Sequence, residues 1–95
     1  MSAIRHIVLF KFYDLIDDDS RMYAIDKLRS LEDLPGIVEW RLEASTDRRK
    51  GLVVVQNVLF ESEQAFDTYR ESAEHKDIGT TLSALADWLV ADYPE

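Results

Sequence analysis

An α+β sandwich with a four-stranded antiparallel sheet is the fold this 95-residue chain predicts, and three observations predict it. Two strand-like runs are apolar on both faces, a third run alternates, and helix-like stretches with caps separate them in the order βαββαβ. The length makes one domain, 1–95, with one core.

The first run is Ile4-Arg5-His6-Ile7-Val8-Leu9-Phe10-Lys11-Phe12. Alternate residues put Ile4, His6, Val8, Phe10 and Phe12 on one face and Arg5, Ile7, Leu9 and Lys11 on the other. Its middle is apolar on both sides, as in a strand with both faces covered. Asp17-Asp18-Asp19-Ser20 then reads as a helix N-terminus, where side-chain oxygens cap free amides and negative charge meets the dipole. A calcium loop would need further oxygen ligands and a glycine at set spacing, which do not follow. The predicted helix runs from about Asp18 to Leu31 with Met22, Ile25, Leu28 and Leu31 as its apolar stripe. Pro35-Gly36 ends the helix and turns the chain.

Ile37 to Ala44 alternates, with Val38, Trp40, Leu42 and Ala44 opposite Ile37, Glu39, Arg41 and Glu43, which suits an edge strand. After a polar turn, Leu52 to Phe60 is a third strand, apolar on both faces and therefore central. Ser62 starts a second helix whose Ala65, Phe66 and Tyr69 share a face, ending near Ser72. A connection holding His75 leads to a third helical stretch over 78–86, with Ile78, Leu82 and Leu85 inward. Trp88 to Tyr93 is the final strand, closed by Pro94.

This order is that of a ferredoxin-like sandwich, in which the helices cover one sheet face. The first and third strands are apolar on both faces, so the second face needs a cover that this chain does not supply. A second copy is the simplest cover, and stacking two such sheets gives a closed α+β barrel. A homodimer through Ile7, Leu9, Val53, Val55 and Leu59 is therefore expected.

Composition narrows the partners. A net charge of −8, without a basic stripe, disfavours nucleic acid. No segment reaches the roughly 18–20 apolar residues of a membrane span, and the N-terminus lacks the pattern of a signal peptide. With no cysteine, the chain suits a reducing, cytoplasmic setting. Two histidines without His-x-x-x-His spacing argue against a zinc site, and Gly36, Gly51 and Gly79 are too scattered to cradle phosphate. No metal and no cofactor are expected.

The first strand, Phe60-Glu61-Ser62, Tyr69 followed by Ala73-Glu74-His75, and Asp92-Tyr93-Pro94 together resemble the stress-responsive A/B barrel (Dabb) family of the dimeric α/β barrel superfamily, over essentially the whole chain. The resemblance implies the dimeric barrel. It also implies a candidate site, because one plant member closes a linear polyketide by aldol condensation without cofactor or metal. That enzyme's catalytic tyrosine and histidine match Tyr69 and His75, and a pocket histidine matches His6. Aromatic residues lining its cavity from the first helix correspond here to Ala24, Ile25 and Leu28, and a valine on the third strand to Gln56. A shorter or more polar ligand is implied.

The residues themselves support two readings. In one, the protein is a stress-associated homodimer in which His6 and Gln56 satisfy each other, His75 caps a helix and Tyr69 is a core residue. In the other, a cavity between helices and sheet binds a small hydrophobic or carbonyl-rich ligand. There His75 removes a proton alpha to a carbonyl, Tyr69 donates to the enolate oxygen, and His6 and Gln56 face the ligand carbonyl. Val8 and Phe10, on the face of His6, complete the expected lining with Ala24, Ile25, Leu28, Gln56 and Leu85. Trp40 and Trp88 are expected as core or interface anchors. An enclosed pocket bearing His6, Gln56, Tyr69 and His75 separates the second reading from the first.

Overall fold

A computed structural model describes residues 2–95. Its elements are β1 (Ile4–Phe12), α1 (Asp18–Arg29), β2 (Ile37–Ala44), β3 (Val53–Phe60), α2 (Glu63–Glu71), α3 (Ala73–Ser83) and β4 (Ala86–Pro94). The four strands form one antiparallel sheet in the order β2-β3-β1-β4. The two runs that are apolar on both faces are therefore the central strands, and the alternating β2 lies at an edge, as its pattern predicts.

Register decides which side chains share the helix-covered face. His6 pairs with Val58 on one side and Asp92 on the other, and Val8 lies between Gln56 and Val90. The next row down the sheet is Val54, Phe10 and Trp88. Helices pack over this face and bury Phe12, Val54, Val58 and Phe60 against Leu28, Leu31 and Leu82. The opposite face carries Ile7, Leu9, Val53, Val55 and Leu59, continued on β4 by Leu89 and Ala91, and no helix covers it.

The structure corrects the sequence reading of several elements. The buried stripe is Ala24 and Leu28 of α1 with Leu31 in the turn just after it, while Met22 is 57% exposed. A spacing of four and three residues follows the helical turn better than the strict three-residue step that Met22 requires. In β2 the register slips between Ile37 and Glu39, a bulge that pushes Val38 outward and turns Ile37 onto the face of Trp40 and Leu42. His75 lies not in a connection but in the first turn of α3, which begins five residues before the expected start. Its N-cap is Ser72, whose hydroxyl accepts the His75 backbone N–H at 3.1 Å. The final strand likewise starts earlier, at Ala86.

Gly36 shows why Pro35-Gly36 is an effective stop. Its φ is +88°, a conformation that glycine reaches at little cost, and an added Cβ would lie 2.6 Å from the Cβ of Ala65. The chain turns there because α2 packs directly against the backbone.

Candidate functional site

A cleft of about 260 Å³ lies between the helices and the sheet, just below the usual range of ligand-pocket sizes. Its floor is His6, Val8 and Phe10 of β1 and Gln56 of β3; its wall is Phe66 and Tyr69 of α2 with His75, Ile78, Gly79 and Leu82 of α3. Leu28 and Leu31 close its inner end, and Trp88, Val90 and Asp92 of β4 line its open side. Val90 remains 48% exposed and Trp88 38% exposed, so the cleft opens over the edge strand.

The polar groups of the cleft are arranged around Tyr69. The Gln56 amide Nε2 donates to the Tyr69 hydroxyl oxygen at 3.2 Å, which leaves the phenolic hydrogen free for another acceptor. The Tyr69 ring lies 4.9 Å from the His75 ring and 6.1 Å from the His6 ring, centroid to centroid. The His6 Nδ1 lies 2.6 Å from an Asp92 carboxylate oxygen across the β1–β4 pair. An ionised carboxylate only accepts, so Nδ1 carries a proton. Among the described residues no buried side-chain nitrogen or oxygen lacks a partner.

Burial tunes both candidate acid–base groups. It pushes the Tyr69 phenol up to about 12, against a smaller opposite effect of the Gln56 hydrogen bond, so the hydroxyl stays protonated and able to donate. It also holds the His75 imidazole below its ordinary range, reinforced by the neighbouring His6 and partly opposed by a hydrogen bond to the Arg70 carbonyl. The neutral base form of His75 is therefore favoured near neutral pH.

One hydroxyl sets the spacing of these two rings. Ser72 donates to the Tyr69 carbonyl at 2.7 Å and accepts from the His75 amide at 3.1 Å, ending α2 and starting α3 with the same side chain. Arg70 lies over the Phe66 ring at 4.6 Å, pairs with Asp67 and contributes to the rim of the cleft.

Of the residues proposed from sequence, His6, Val8, Phe10, Leu28, Gln56, Tyr69 and His75 come together in this cleft. Ala24, Ile25 and Leu85 do not. Ala24 is wholly buried in the α1 packing, Ile25 faces a separate surface hollow beside Met22, and Leu85 borders another beside Tyr23. Ile25 lies on another face of the helix, whereas Ala24 shares the face of Leu28 and Leu31 but sits a turn earlier along the chain, and only Leu28 and Leu31 line the cleft. His6 and Gln56 also do not pair with each other: they lie on adjacent rows, and each takes a different partner. Trp88 lines the cleft rather than anchoring a core.

Sequence reasoning passed over the role of Asp92. Its signal is the alternation of β4, where Trp88, Val90 and Asp92 share a parity and the only carboxylate of the three falls opposite His6 once the strands are in register. No cluster of three or more histidine and acidic side chains able to hold a metal occurs among the described residues, and no helix among them is long and apolar enough to cross a membrane.

A four-stranded antiparallel sheet in this order, helices on one face and an apolar second face, defines the ferredoxin-like α+β class. Within it, the chain belongs to the stress-responsive A/B barrel domain family, Dabb, whose model matches residues 4–95. Comparison with curated protein sequences found no match. Among solved structures, a dimeric ferredoxin-like protein of unknown function from Thermobifida fusca is similar at TM-score 0.86 and 18% identity, over 99% of this chain and 92% of that one. A hydroxynitrile lyase from Passiflora edulis is similar at TM-score 0.86 and 18% identity, over 99% and 94%. A Dabb family protein from Mesorhizobium loti is similar at TM-score 0.81 and 16% identity, over 98% and 96%.

Proposed function

We propose that this protein is a homodimer whose subunits each bind a small, mainly apolar ligand bearing a carbonyl or enol oxygen in the cleft at Tyr69. The observation that carries the reading is the Tyr69 hydroxyl, buried, held by Gln56 through its oxygen and left with a free hydrogen, on a ring that packs beside two imidazoles. A ligand oxygen at that hydrogen is the partner such a group lacks. The apolar remainder of the ligand then packs on Phe10, Leu28 and Trp88. Dimerisation is supported by the uncovered apolar sheet face and by structural neighbours described as dimeric. Phenol, which mimics an enol, tests the reading: titration should give saturable NMR shifts at His6 and His75. Unchanged histidine resonances at millimolar phenol would overturn it.

The paired polar groups favour a second reading, cofactor-independent enolisation. With a carbonyl oxygen on Tyr69, neutral His75 takes a proton from the adjacent carbon, and the electrons of the broken C–H bond move into the enolate that the Tyr69 hydroxyl stabilises. His6, its ring held at Nδ1 by Asp92, orients the ligand through Nε2. The hydroxynitrile lyase among the structural neighbours supports this reading only at the level of the fold. Deuterium uptake into the methyl group of acetophenone in D2O measures the reaction directly. Tyr69→Phe and His75→Ala should each lose about 100-fold or more of the protein-dependent rate; retention of full exchange in both would refute catalysis. Alanine is a good helix former, so His75→Ala should keep α3 intact.

A further inference from the structure

The three glycines of the chain are not equivalent. Gly36 and Gly51 have positive φ, so their backbone conformations account for them, whereas Gly79 does not. It lies in the middle of α3, where glycine costs about 1 kcal/mol relative to alanine. It also falls on the inward stripe of that helix, with His75, Ile78 and Leu82 at the helical spacing of one buried face. A glycine on a packed face is commonly required by a close neighbour. Here an added Cβ would meet no atom within 4 Å, because the position borders the cleft.

We infer that Gly79 is the specificity-determining position of the cleft: its missing side chain leaves room, one helical turn from His75, for the apolar substituent of a carbonyl or enol ligand whose oxygen sits at Tyr69. The inference rests on the ligand-binding reading above and adds where the ligand's size is read. Trp88 and Val90 line the same cleft from the edge strand and remain partly exposed, so the space left by Gly79 continues toward the opening. The helix forgoes its own stability at this position, and no packing or turn requires that.

Phenol, 4-ethylphenol and 4-butylphenol, titrated into the wild type, Gly79→Ala and Gly79→Leu, test the assignment. Gly79→Ala should melt at or above the wild-type temperature, since it restores helix propensity and its Cβ meets no atom within 4 Å. Phenol should bind all three proteins within about twofold. The 4-butylphenol affinity should fall by about tenfold or more in Gly79→Leu and by less in Gly79→Ala, the scale on which an apolar pocket discriminates by size. If the wild type binds the series and both variants bind it identically, the assignment to Gly79 fails while the ligand-binding reading stands. Equal loss of all three phenols in a folded variant also overturns it, because general blockage is not size discrimination. If the wild type binds none of them, both readings fall together. Should Gly79→Leu misfold, Gly79→Ala against 4-butylphenol decides.

Discussion

His75 and Tyr69 shift in opposite directions from the same cause, burial that disfavours each charged form. For His75, the folded value lies below the unfolded one, so its contribution to stability is complete above about pH 6.5 and is lost as pH falls through the folded value. For Tyr69, raised from 10.0 to about 12, the contribution is complete below pH 10 and is lost as pH rises toward 12. Any exchange activity should therefore have its acid limb below pH 6.5 and no alkaline limb up to pH 10; an acid limb above 6.5 would contradict His75 as the base. Asp92 acts through His6. Asp92→Asn can offer either an acceptor or a donor to Nδ1, so imidazole ¹⁵N spectra should show His6 passing from one tautomer to a mixture. Exchange should fall by about tenfold, less than the roughly 100-fold loss expected on removing an acid or base outright. An unmixed tautomer in the variant would remove Asp92 from the site.

At the scale of elements, the junction of α2 and α3 is the part of the fold that makes the site. Ser72 satisfies a carbonyl at the end of one helix and an amide at the start of the next, so both rings of the Tyr69–His75 pair are attached to one rigid corner. Ser72→Ala should cost about 1 kcal/mol through the lost cap, or a melting temperature lower by about 4–8 °C in a domain of this size. It should also broaden the His75 ring resonances, which a purely local cap elsewhere would not. The cap of α1 offers the comparison: the Asp17 carboxylate accepts the Ser20 amide at 2.7 Å and lies outside the cleft. Asp17→Ala should lower the melting temperature similarly and leave both histidines unchanged.

For the whole molecule, the decisive feature is the sheet face that the helices leave open. Leu9 is 40% exposed there and Leu89 71% exposed, with Ile7, Val53, Val55 and Leu59 between and beside them. At one end Arg5 binds Glu95 at 2.9 Å and Glu39 at 3.0 Å, a polar cluster beside the apolar patch. A contiguous apolar surface with a charged margin is the anatomy of an interface between copies. Sedimentation equilibrium should find a dimer at micromolar concentration. Leu9→Glu should shift it to monomer or aggregate and lower the melting temperature, because the new carboxylate would be buried without a partner. A stable, well-folded wild-type monomer would contradict the barrel.

Local chemistry and periodicity determined much of this protein by themselves. The order of strands and helices along the chain, the two-sided apolar character of β1 and β3, the caps at Asp17 and Ser62 and the turn at Pro35-Gly36 depend on alternation, propensity and capping, which act between near neighbours. The candidate residues His6, Gln56, Tyr69 and His75 were legible from the first strand and the family resemblance, and the uncovered apolar face from the excess of apolar positions. Other features were decided only by the tertiary structure. The helical rotation that turns Met22 and Ile25 away from the cleft, the bulge at Val38 and the start of α3 at Ala73 depend on how elements pack. The partners of His6 and Gln56 likewise depend on register between strands and on which helix lies above them. Asp92 meets His6 although 86 residues separate them, and such a contact follows from pairing energies summed over whole strands rather than from any local pattern.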